Sequence, residues 1–248
     1  MTDQFREMYL SPSFLALLVL LGCAGAGVDP GTVSSPPALR VMSLNIYGWA
    51  TMPDSAPEYA ALVEAQNVDV LGIQEGNWDW EIEGWPTDYS RSEQLHEALG
   101  ECWQRRYQIY VNTCRGAELD SHRRFDLTDG PRAVRTGETA LVTKAGKQVA
   151  FINIHWDHES APARAASALE TAAEANLHSR TPTIALGDFN TDCTSEDVNT
   201  LRSRASMELV VDGGIDCILA RDLPGSGAAI EASPSDHPAV VATFAISD

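Results

Sequence analysis

The stretch Thr183-Ile-Ala-Leu-Gly-Asp-Phe-Asn190 joins a short apolar run to two polar side chains that follow it directly. The apolar part, Thr183 to Leu186, is typical of a short strand buried in a sheet. Asp188 and Asn190 then stand where the chain leaves the sheet, and enzymes carry many functional residues at such positions. A single Asp after a strand is most often a turn or a helix cap. The stretch is informative because others along the chain have the same form.

Polar residues recur at the ends of the other predicted strands. The strand Leu39 to Ile46 carries Asn45 near its end, and the strand Val68 to Gln74 is followed by Glu75. His155 follows the apolar run Phe-Ile-Asn-Ile in the same way. The remaining members of the set, at the start of a strand or just before one, are Asp216, Asp236 and His237.

Short strands and helical patterns alternate along the chain. Helices are predicted over residues 57–66, 92–100 and 162–177, and further strands over residues 107–111, 139–143, 149–154, 208–211, 215–219 and 239–246. The polar, aperiodic stretch Arg115 to Gly137 predicts a long surface loop. Strands in hairpins with helices interspersed predict an α/β fold in which sheet packs on sheet and the helices lie outside.

The polar set has the chemistry of a divalent-metal site. Carboxylates that converge on one pocket repel one another unless a cation lies among them. Oxygen ligands with few thiols favour Mg²⁺, with Mn²⁺ or Ca²⁺ as alternatives, over zinc. Two histidines supply proton-transfer groups near neutral pH.

The ordered set of motifs resembles the endonuclease/exonuclease/phosphatase superfamily, which includes deoxyribonuclease I. The resemblance runs from Leu39 to Ile246 and rests on Gln74-Glu75, Gly187-Asp-Phe-Asn190 and Ser235-Asp-His237 taken together. The stretch from Asn153 to Ser167 looks like an exported bacterial branch of that superfamily. The resemblance implies a four-layer αββα sandwich of two mixed β-sheets with helices on the outer faces. It also implies metal-dependent hydrolysis of a phosphate ester, with a diester favoured.

The resemblance implies a metal shell at three positions. Glu75 would be the principal ligand, with Asn45 beside it and Asp236 as a further carboxylate. Mg²⁺ typically takes one or two protein carboxylates and fills its shell with water and substrate phosphate.

The resemblance also implies roles in catalysis. His155 would hydrogen-bond the scissile phosphate, with protonation of the leaving group as an added role. His237 would take a proton from water and would be oriented by Asp216. Asp188 would orient that water, and Asn190 would bind a non-bridging oxygen as charge builds there.

Some positions depart from the family pattern. No residue between Glu75 and His155 clearly matches the family's catalytic tyrosine or its second carboxylate, and Tyr107, Tyr110 and Glu138 are candidates by location only. Other residues have two readings each. Asp157 and His158 either join the metal shell or brace the loop, and Arg164 either contacts phosphate or forms an ion pair. Trp78, Trp80 and Trp85 form either a stacking platform or ordinary packing.

The N-terminus predicts export. Residues 14–21 are apolar and too short to span a membrane, which favours a signal peptide over residues 1–22. Leu20-Leu-Gly-Cys23 resembles the lipobox of bacterial lipoproteins, so acylation of Cys23 and simple cleavage nearby are alternatives. Residues 23–38 are predicted to be a flexible tether, and residues 39–248 the catalytic domain. The expected locations are the periplasm, the outer membrane through Cys23, or the medium.

Export would place the other four cysteines in an oxidising compartment. Cys102, Cys114, Cys193 and Cys217 allow three pairings. The sequential pairing is favoured, and four buried free thiols are the alternative. Cys193 is also placed like one half of a deoxyribonuclease I disulfide, which supports Cys193–Cys217.

The net charge of −18 argues against tight binding to long nucleic acid. A sphingomyelinase-type phosphodiesterase is one alternative, but it requires an exposed apolar hairpin, which the sequence shows nowhere outside the signal segment. A non-catalytic surface lipoprotein is another, but all eight site positions hold competent residues. The expected partner is a phosphate ester: a nucleic acid, a nucleotide, a sugar phosphate or a phospholipid head group. The chain is expected to be a monomer.

Overall fold

The computed structural model describes residues 37–77 and 90–246. The predicted signal peptide, Cys23 and the group Trp78, Trp80 and Trp85 lie outside the described residues. Among the described residues, no helix is long and apolar enough to cross a membrane.

The described residues form twelve strands and five α-helices. In chain order they are β1 (Ala38–Asn45), α1 (Gly48–Thr51), α2 (Ala56–Ala65), β2 (Val70–Gln74), α3 (Arg91–Leu99), β3 (Trp103–Arg106), β4 (Ile109–Asn112), β5 (Ala117–Leu127), β6 (Arg135–Lys144), β7 (Lys147–His155), α4 (Ala161–Leu177), β8 (Thr183–Asp188), α5 (Glu196–Ala205), β9 (Glu208–Asp212), β10 (Asp216–Arg221), β11 (Gly225–Ile230) and β12 (Ala239–Ala245).

The strands form two mixed sheets of six strands each. The first has the order β11-β12-β1-β2-β4-β3, and the second has the order β5-β6-β7-β8-β10-β9. Each sheet contains one parallel pair, β1 with β2 and β7 with β8, at its centre. One apolar cluster fills the space between the sheets, and two others pack α2 and α3 on the outside of the first sheet and α4 and α5 on the outside of the second. The predicted four-layer αββα sandwich is confirmed.

The prediction of a long loop from Arg115 to Gly137 is wrong. β5 pairs with β6 antiparallel from Ala117↔Lys144 to Leu127↔Arg135. β5 is the edge strand of its sheet and most of its side chains are exposed or half-buried, so its sequence lacks the apolar alternation by which a strand is recognised. The sequence analysis also missed β3, β11 and the polar helix α5.

On the inner face of β7, apolar side chains are followed directly by polar ones toward the end of the strand. Side chains at every second position face the same side of a sheet. On β7, Val149 and Phe151 lie in the cluster between the sheets, and the next two positions on that face are Asn153 and His155. Asn153 Oδ1 accepts a bond of 2.7 Å from Gln74 Nε2, and its Nδ2 donates to Ile73 O at 2.9 Å. This pair ties the sheets together just below the strand ends.

Gly187 is required by the close approach of β8 to β7. It has φ 147°, and a Cβ at this position would lie 2.0 Å from Ile154 O. A larger residue would separate the two strands and move the adjacent Asp188 away from β7.

Candidate active site

Strand register brings three of the predicted site residues into neighbouring positions. His155 at the end of β7 is the register partner of Asp188 at the end of β8, and Asp188 is also the partner of Asp216 at the start of β10. In the other sheet, Asn45 at the end of β1 pairs with Gln74 at the end of β2. These strand ends lie at one edge of the sandwich, as the sequence predicts.

A cavity of about 500 Å³ opens at this edge. Six of the eight predicted site residues line it, namely Glu75, His155, Asp188, Asn190, Asp236 and His237. Asn45 and Asp216 are buried and contact these lining residues. The structure therefore brings all eight positions together around one cavity.

His237 is held by a buried carboxylate. Its Nδ1 lies 2.8 Å from Asp216 Oδ2, and its Nε2 lies 3.9 Å from Asp188 Oδ2. Ser235 Oγ accepts from the His237 backbone N–H at 3.0 Å and donates to Asn45 O at 2.6 Å, which fixes the loop to β1. Burial disfavours the charged ring, but the hydrogen bond to Asp216 and the charge of Asp188 outweigh it and raise the pKa of His237 to about 9.

Asp188 is the central carboxylate of the site. Asn45 Nδ2 donates to Asp188 Oδ2 at 3.2 Å, and the backbone N–H of Asn190 donates to Asp188 Oδ1 at 2.8 Å. Burial, followed by the negative charge of Asp216, raises the pKa of Asp188 to about 7. Two buried carboxylates this close need nearby positive charge to ionise together.

Glu75 follows β2 in a left-handed backbone conformation with φ 61°, and it lines the cavity. Its Oε1 accepts from Asn45 Nδ2 at 3.2 Å, whereas its Oε2 is buried without a hydrogen-bond partner. Burial raises the pKa of Glu75. A buried, unpartnered carboxylate oxygen on a residue that lines the cavity fits a hard cation, which prefers oxygen ligands. Asn45 Oδ1 accepts from the backbone N–H of Tyr47 at 2.9 Å, so Asn45 contacts the carboxylates of Glu75 and Asp188 through Nδ2.

Asp188, Asp216 and His237 also lie close enough together to hold an ion. The ligand atoms of Asp188, Asp216 and His237 lie within 4.8 Å of one another. Asp216 Oδ2 and His237 Nδ1 are hydrogen-bonded to each other, however, so each of these two atoms already has a partner. This geometry is that of a histidine oriented by a carboxylate.

Arg135 is a site residue that the sequence analysis missed. It begins β6, lines the cavity, and places NH1 3.2 Å from His155 Nδ1 and NH2 2.9 Å from His158 Nδ1. It falls within the stretch that was interpreted as a surface loop, and no motif marks it. Its position beside the end of β7 follows from the antiparallel pairing of β6 with β7.

Asp157 braces the loop that follows β7. It is 1% exposed, and Oδ1 accepts from the backbone N–H groups of Glu159 at 3.0 Å and Ser160 at 2.7 Å. Its Oδ2 lies 3.4 Å from Arg135 Nε. Burial would raise the pKa of Asp157, but these backbone bonds and Arg135 outweigh it and lower the pKa. Arg164 donates to Asp157 O at 2.9 Å and is absent from the cavity lining, so it supports the loop.

Asn190 is fixed by the neighbouring strand. It has φ 50°, and its Nδ2 donates to Trp156 O at 2.9 Å, with the ring of Trp156 buried against Phe189. The side chain is thereby held at the cavity wall beside Asp188.

The three residues proposed by location alone do not line the cavity. Tyr110 is buried and donates to Ser92 O at 2.6 Å. Glu138 is buried and accepts from Gln108 N and lies 3.0 Å from His122 Nε2. The ring of Tyr107 stacks against the guanidinium of Arg124. The cavity lining contains a different tyrosine, Tyr47, whose ring packs edge-on against Trp49.

Both favoured disulfides are present. Cys102–Cys114 ties the turn before β3 to the turn after β4, and Cys193–Cys217 ties the loop after β8 to β10. The second bridge lies next to Asp216, so it holds a strand end that carries a site residue.

The fold and the site together define a sandwich of the phosphoesterase type. The chain belongs to the Endonuclease/Exonuclease/phosphatase family, which it matches over residues 42–237. The activities for which that family is named are hydrolyses of phosphate esters. The comparison with curated proteins gives no match.

Solved structures share the fold at low sequence identity. A family protein from Bacteroides thetaiotaomicron has a TM-score of 0.70 and 19% identity, with 86% of this chain and 100% of that chain covered. A mannosyl-6-phosphatase from the same organism has a TM-score of 0.67 and 19% identity, with 84% and 100% covered. Sphingomyelinase C from Streptomyces griseocarneus has a TM-score of 0.61 and 13% identity, with 85% and 100% covered. The last two are named for different substrates, so the shared fold leaves the substrate of this chain open.

Proposed function

We propose that this chain is an exported, divalent-metal-dependent phosphoesterase that hydrolyses small phosphodiesters. The observation that carries the proposal is the convergence of Glu75, Asp188 and Asp236 with His155 and His237 around one cavity. Each of these residues alone has an ordinary structural explanation, whereas their meeting at one edge of the sandwich does not.

The shape and charge of the cavity favour a small substrate. A volume of about 500 Å³ lies within the range of small-molecule sites. Arg132 and Arg135 line one wall of the cavity, so that wall carries positive charge on a chain of net charge −18. A small anion is attracted by the local charge, while a long polyanion is repelled by the whole surface. Trp49 and Val134, each 49% exposed, line the cavity and offer apolar contact to the rest of the ester.

The residues divide the reaction between them. His237, with Nδ1 bonded to Asp216, presents Nε2 to the cavity and accepts a proton from the attacking water there. Asp188 lies 3.9 Å from that nitrogen and orients the water. His155 and Asn190 contact the phosphate oxygens, where negative charge grows as the water oxygen bonds to phosphorus. The ester P–O bond on the opposite side breaks, and the leaving alkoxide takes up a proton from solvent. A general base of this kind contributes about 10²–10⁴ in rate.

The proposed metal is Mg²⁺, with Mn²⁺ or Ca²⁺ as alternatives. Glu75 and Asp236 would hold it, with Asn45 beside them. The buried, unpartnered Oε2 of Glu75 supports this assignment. A divalent ion in this position offsets the charge of the carboxylates and of the phosphate.

The proposal is tested with the purified chain and four substrates. These are bis(p-nitrophenyl) phosphate, p-nitrophenyl phosphate, plasmid DNA and sphingomyelin, each with Mg²⁺, Mn²⁺ or Ca²⁺ and after removal of metal by a chelator. The expected result is Mg²⁺-dependent hydrolysis of the small diester that is lost in His237→Asn. A chain that hydrolyses none of the four with any of the three metals would contradict the proposal. Preference for the monoester or for sphingomyelin would support a phosphoesterase but contradict the proposed preference for small diesters.

Two disulfides support the proposal of export, because such bridges persist mainly in oxidising compartments. We further propose that Cys23 is acylated and tethers the protein to a membrane. Incorporation of labelled palmitate into the bacterially expressed chain, and its loss in Cys23→Ser, is the expected result. Equal labelling of both chains would contradict the tether and leave the hydrolase proposal unaffected.

A further inference from the structure

The guanidinium of Arg135 contacts three side chains at the cavity wall, namely Asp157, His155 and His158. Its Nε lies 3.4 Å from Asp157 Oδ2, its NH1 3.2 Å from His155 Nδ1 and its NH2 2.9 Å from His158 Nδ1. The backbone N–H of Arg135 also donates to Asp129 Oδ1 at 2.8 Å. The side chain is only 10% exposed, so these contacts form with little competition from water.

The position of Asp157 fixes that of Arg135. Asp157 is itself held by two backbone N–H groups and is almost fully buried. Gly130 provides the space, since a Cβ there would lie 2.0 Å from Asp157 Oδ2. The arginine is therefore placed by the loop and by β6 and does not depend on His155 for its orientation.

An arginine can only donate hydrogen bonds. The guanidinium carries five N–H donors, has no acceptor and stays protonated in proteins. The contact from NH1 to His155 therefore requires that Nδ1 be the acceptor, with its lone pair free. A neutral imidazole with an unprotonated Nδ1 carries its proton on Nε2. In His155, Nε2 is the nitrogen on the side of Asp188, 3.4 Å from Oδ2.

We infer that Arg135 holds His155 as the neutral tautomer protonated at Nε2, so that His155 donates a hydrogen bond to the substrate phosphate and does not act as the acid. That a substrate phosphate accepts this hydrogen bond rests on the proposed function, whereas the tautomer of His155 follows from its contact with Arg135. Arg135 is a positioning residue in this scheme. The family resemblance leaves open whether His155 also protonates the leaving group, and the Arg135 contact decides against that role.

The two histidines of the site are thus set to opposite tautomers. His237 bonds through Nδ1 to a carboxylate, so its Nδ1 carries a proton, and Nε2 is the nitrogen that accepts a proton when the ring is neutral. His155 bonds through Nδ1 to a cation, so its Nε2 carries the proton. Burial, and then the charges of Arg135, His237 and His158, lower the pKa of His155 well below its usual range, which agrees with a neutral ring. One histidine accepts a proton and the other donates a hydrogen bond.

The test reads the tautomer by ¹⁵N NMR on the full chain labelled at histidine, without metal or substrate. The His155 resonances are assigned by their loss in His155→Gln. The expected result is an Nδ1 shift typical of a non-protonated imidazole nitrogen and a proton coupled to Nε2. Arg135→Glu replaces the donor with an acceptor and is expected to move the proton to Nδ1. Its kcat on the small diester is expected to fall ~10–100-fold, as for other residues that orient a catalytic group.

Arg132→Glu is the matched control. Arg132 lines the same cavity, and its side chain is 76% exposed and pairs with Glu159 at 3.0 Å. The charge change is the same, but Arg132 makes no contact with His155, so the His155 tautomer is expected to be unchanged. A protonated Nδ1 in the parent chain would overturn the inference, even if Arg135→Glu failed to fold. So would equal shifts in the two charge-reversed chains. Because the NMR measurement needs no turnover, it tests the tautomer of His155 even if the chain does not hydrolyse the proposed substrate.

Discussion

His237 Nδ1 lies 2.8 Å from Asp216 Oδ2, and this bond decides which ring nitrogen faces the cavity. Asp216 is 1% exposed at the start of β10 and is absent from the cavity lining, so its carboxylate can act on a substrate only through the histidine. Two residues that act as one unit lose their effect together when either is replaced.

The first prediction is a non-additive pair of substitutions. His237→Asn is expected to lower kcat on the small diester by about 10²–10⁴. Asp216→Asn is expected to lower it less, because the amide can still accept from Nδ1 but carries no charge. The double variant is expected to match His237→Asn, since Asp216 has no effect without the ring. Asp126→Asn on the exposed edge strand is the control, and circular dichroism checks the fold. If the reduction of kcat in the double variant equals the product of the two single reductions, Asp216 acts independently of His237.

The second prediction concerns the metal and Glu75. Mg²⁺ is expected to raise the Tm of the parent chain, because a ligand that binds the folded state at 100 times its Kd adds about 2.7 kcal/mol. Glu75→Gln is expected to abolish this increase. Without metal, the variant is expected to be at least as stable as the parent, since Glu75 Oε2 is buried without a partner. Glu118→Gln, at an exposed position of β5, should retain the full Mg²⁺ effect. An undiminished increase in Glu75→Gln would remove that carboxylate from the metal site.

Much of the site could be predicted because strand ends can be recognised in the sequence. The apolar runs before His155 and Asp188 are continuous, since β7 and β8 are central strands buried on both faces. Residues that follow such runs are brought together by register, as His155 and Asp188 are. The family resemblance then supplied a role for each position.

Arg135 and Tyr47 could not be predicted, for a physical reason. Arg135 belongs to a hairpin whose outer strand is half-exposed, so neither strand start is marked by alternation. Tyr47 sits in a left-handed turn with φ 46° and lines the cavity because of the path of the loop, which no periodicity encodes. Loops of this kind vary more among related proteins than the strands that they connect.

The third prediction concerns substrate length. The net charge of −18 opposes the approach of long duplex DNA, so hydrolysis of plasmid is expected to be slow relative to the small diester. Raising the ionic strength from about 20 mM to about 200 mM screens this repulsion and is expected to increase the plasmid rate relative to the diester rate. Measuring both rates at constant free Mg²⁺ separates screening from metal binding. Rapid plasmid cleavage at low salt that declines as salt is added would indicate a basic binding surface and contradict the prediction.

The fourth prediction concerns pH and Asp157. Its pKa is lowered in the folded chain because the backbone N–H groups of Ser160 and Glu159 and the side chain of Arg135 outweigh burial. A carboxyl whose pKa is lower in the folded state stabilises that state above its unfolded pKa, and the contribution disappears as the pH falls through the folded pKa. Asp157→Asn is therefore expected to cost about 2 kcal/mol near pH 7, as for other hydrogen bonds to charged groups. The gap between the parent and variant free energies of unfolding is expected to be unchanged at about pH 5 and to shrink below about pH 4. Urea unfolding of both chains at each pH measures this difference, in which the titration of the other carboxyls cancels. A gap that stays constant through acidification would mean that the charge of Asp157 contributes nothing and that the loop is held by packing alone.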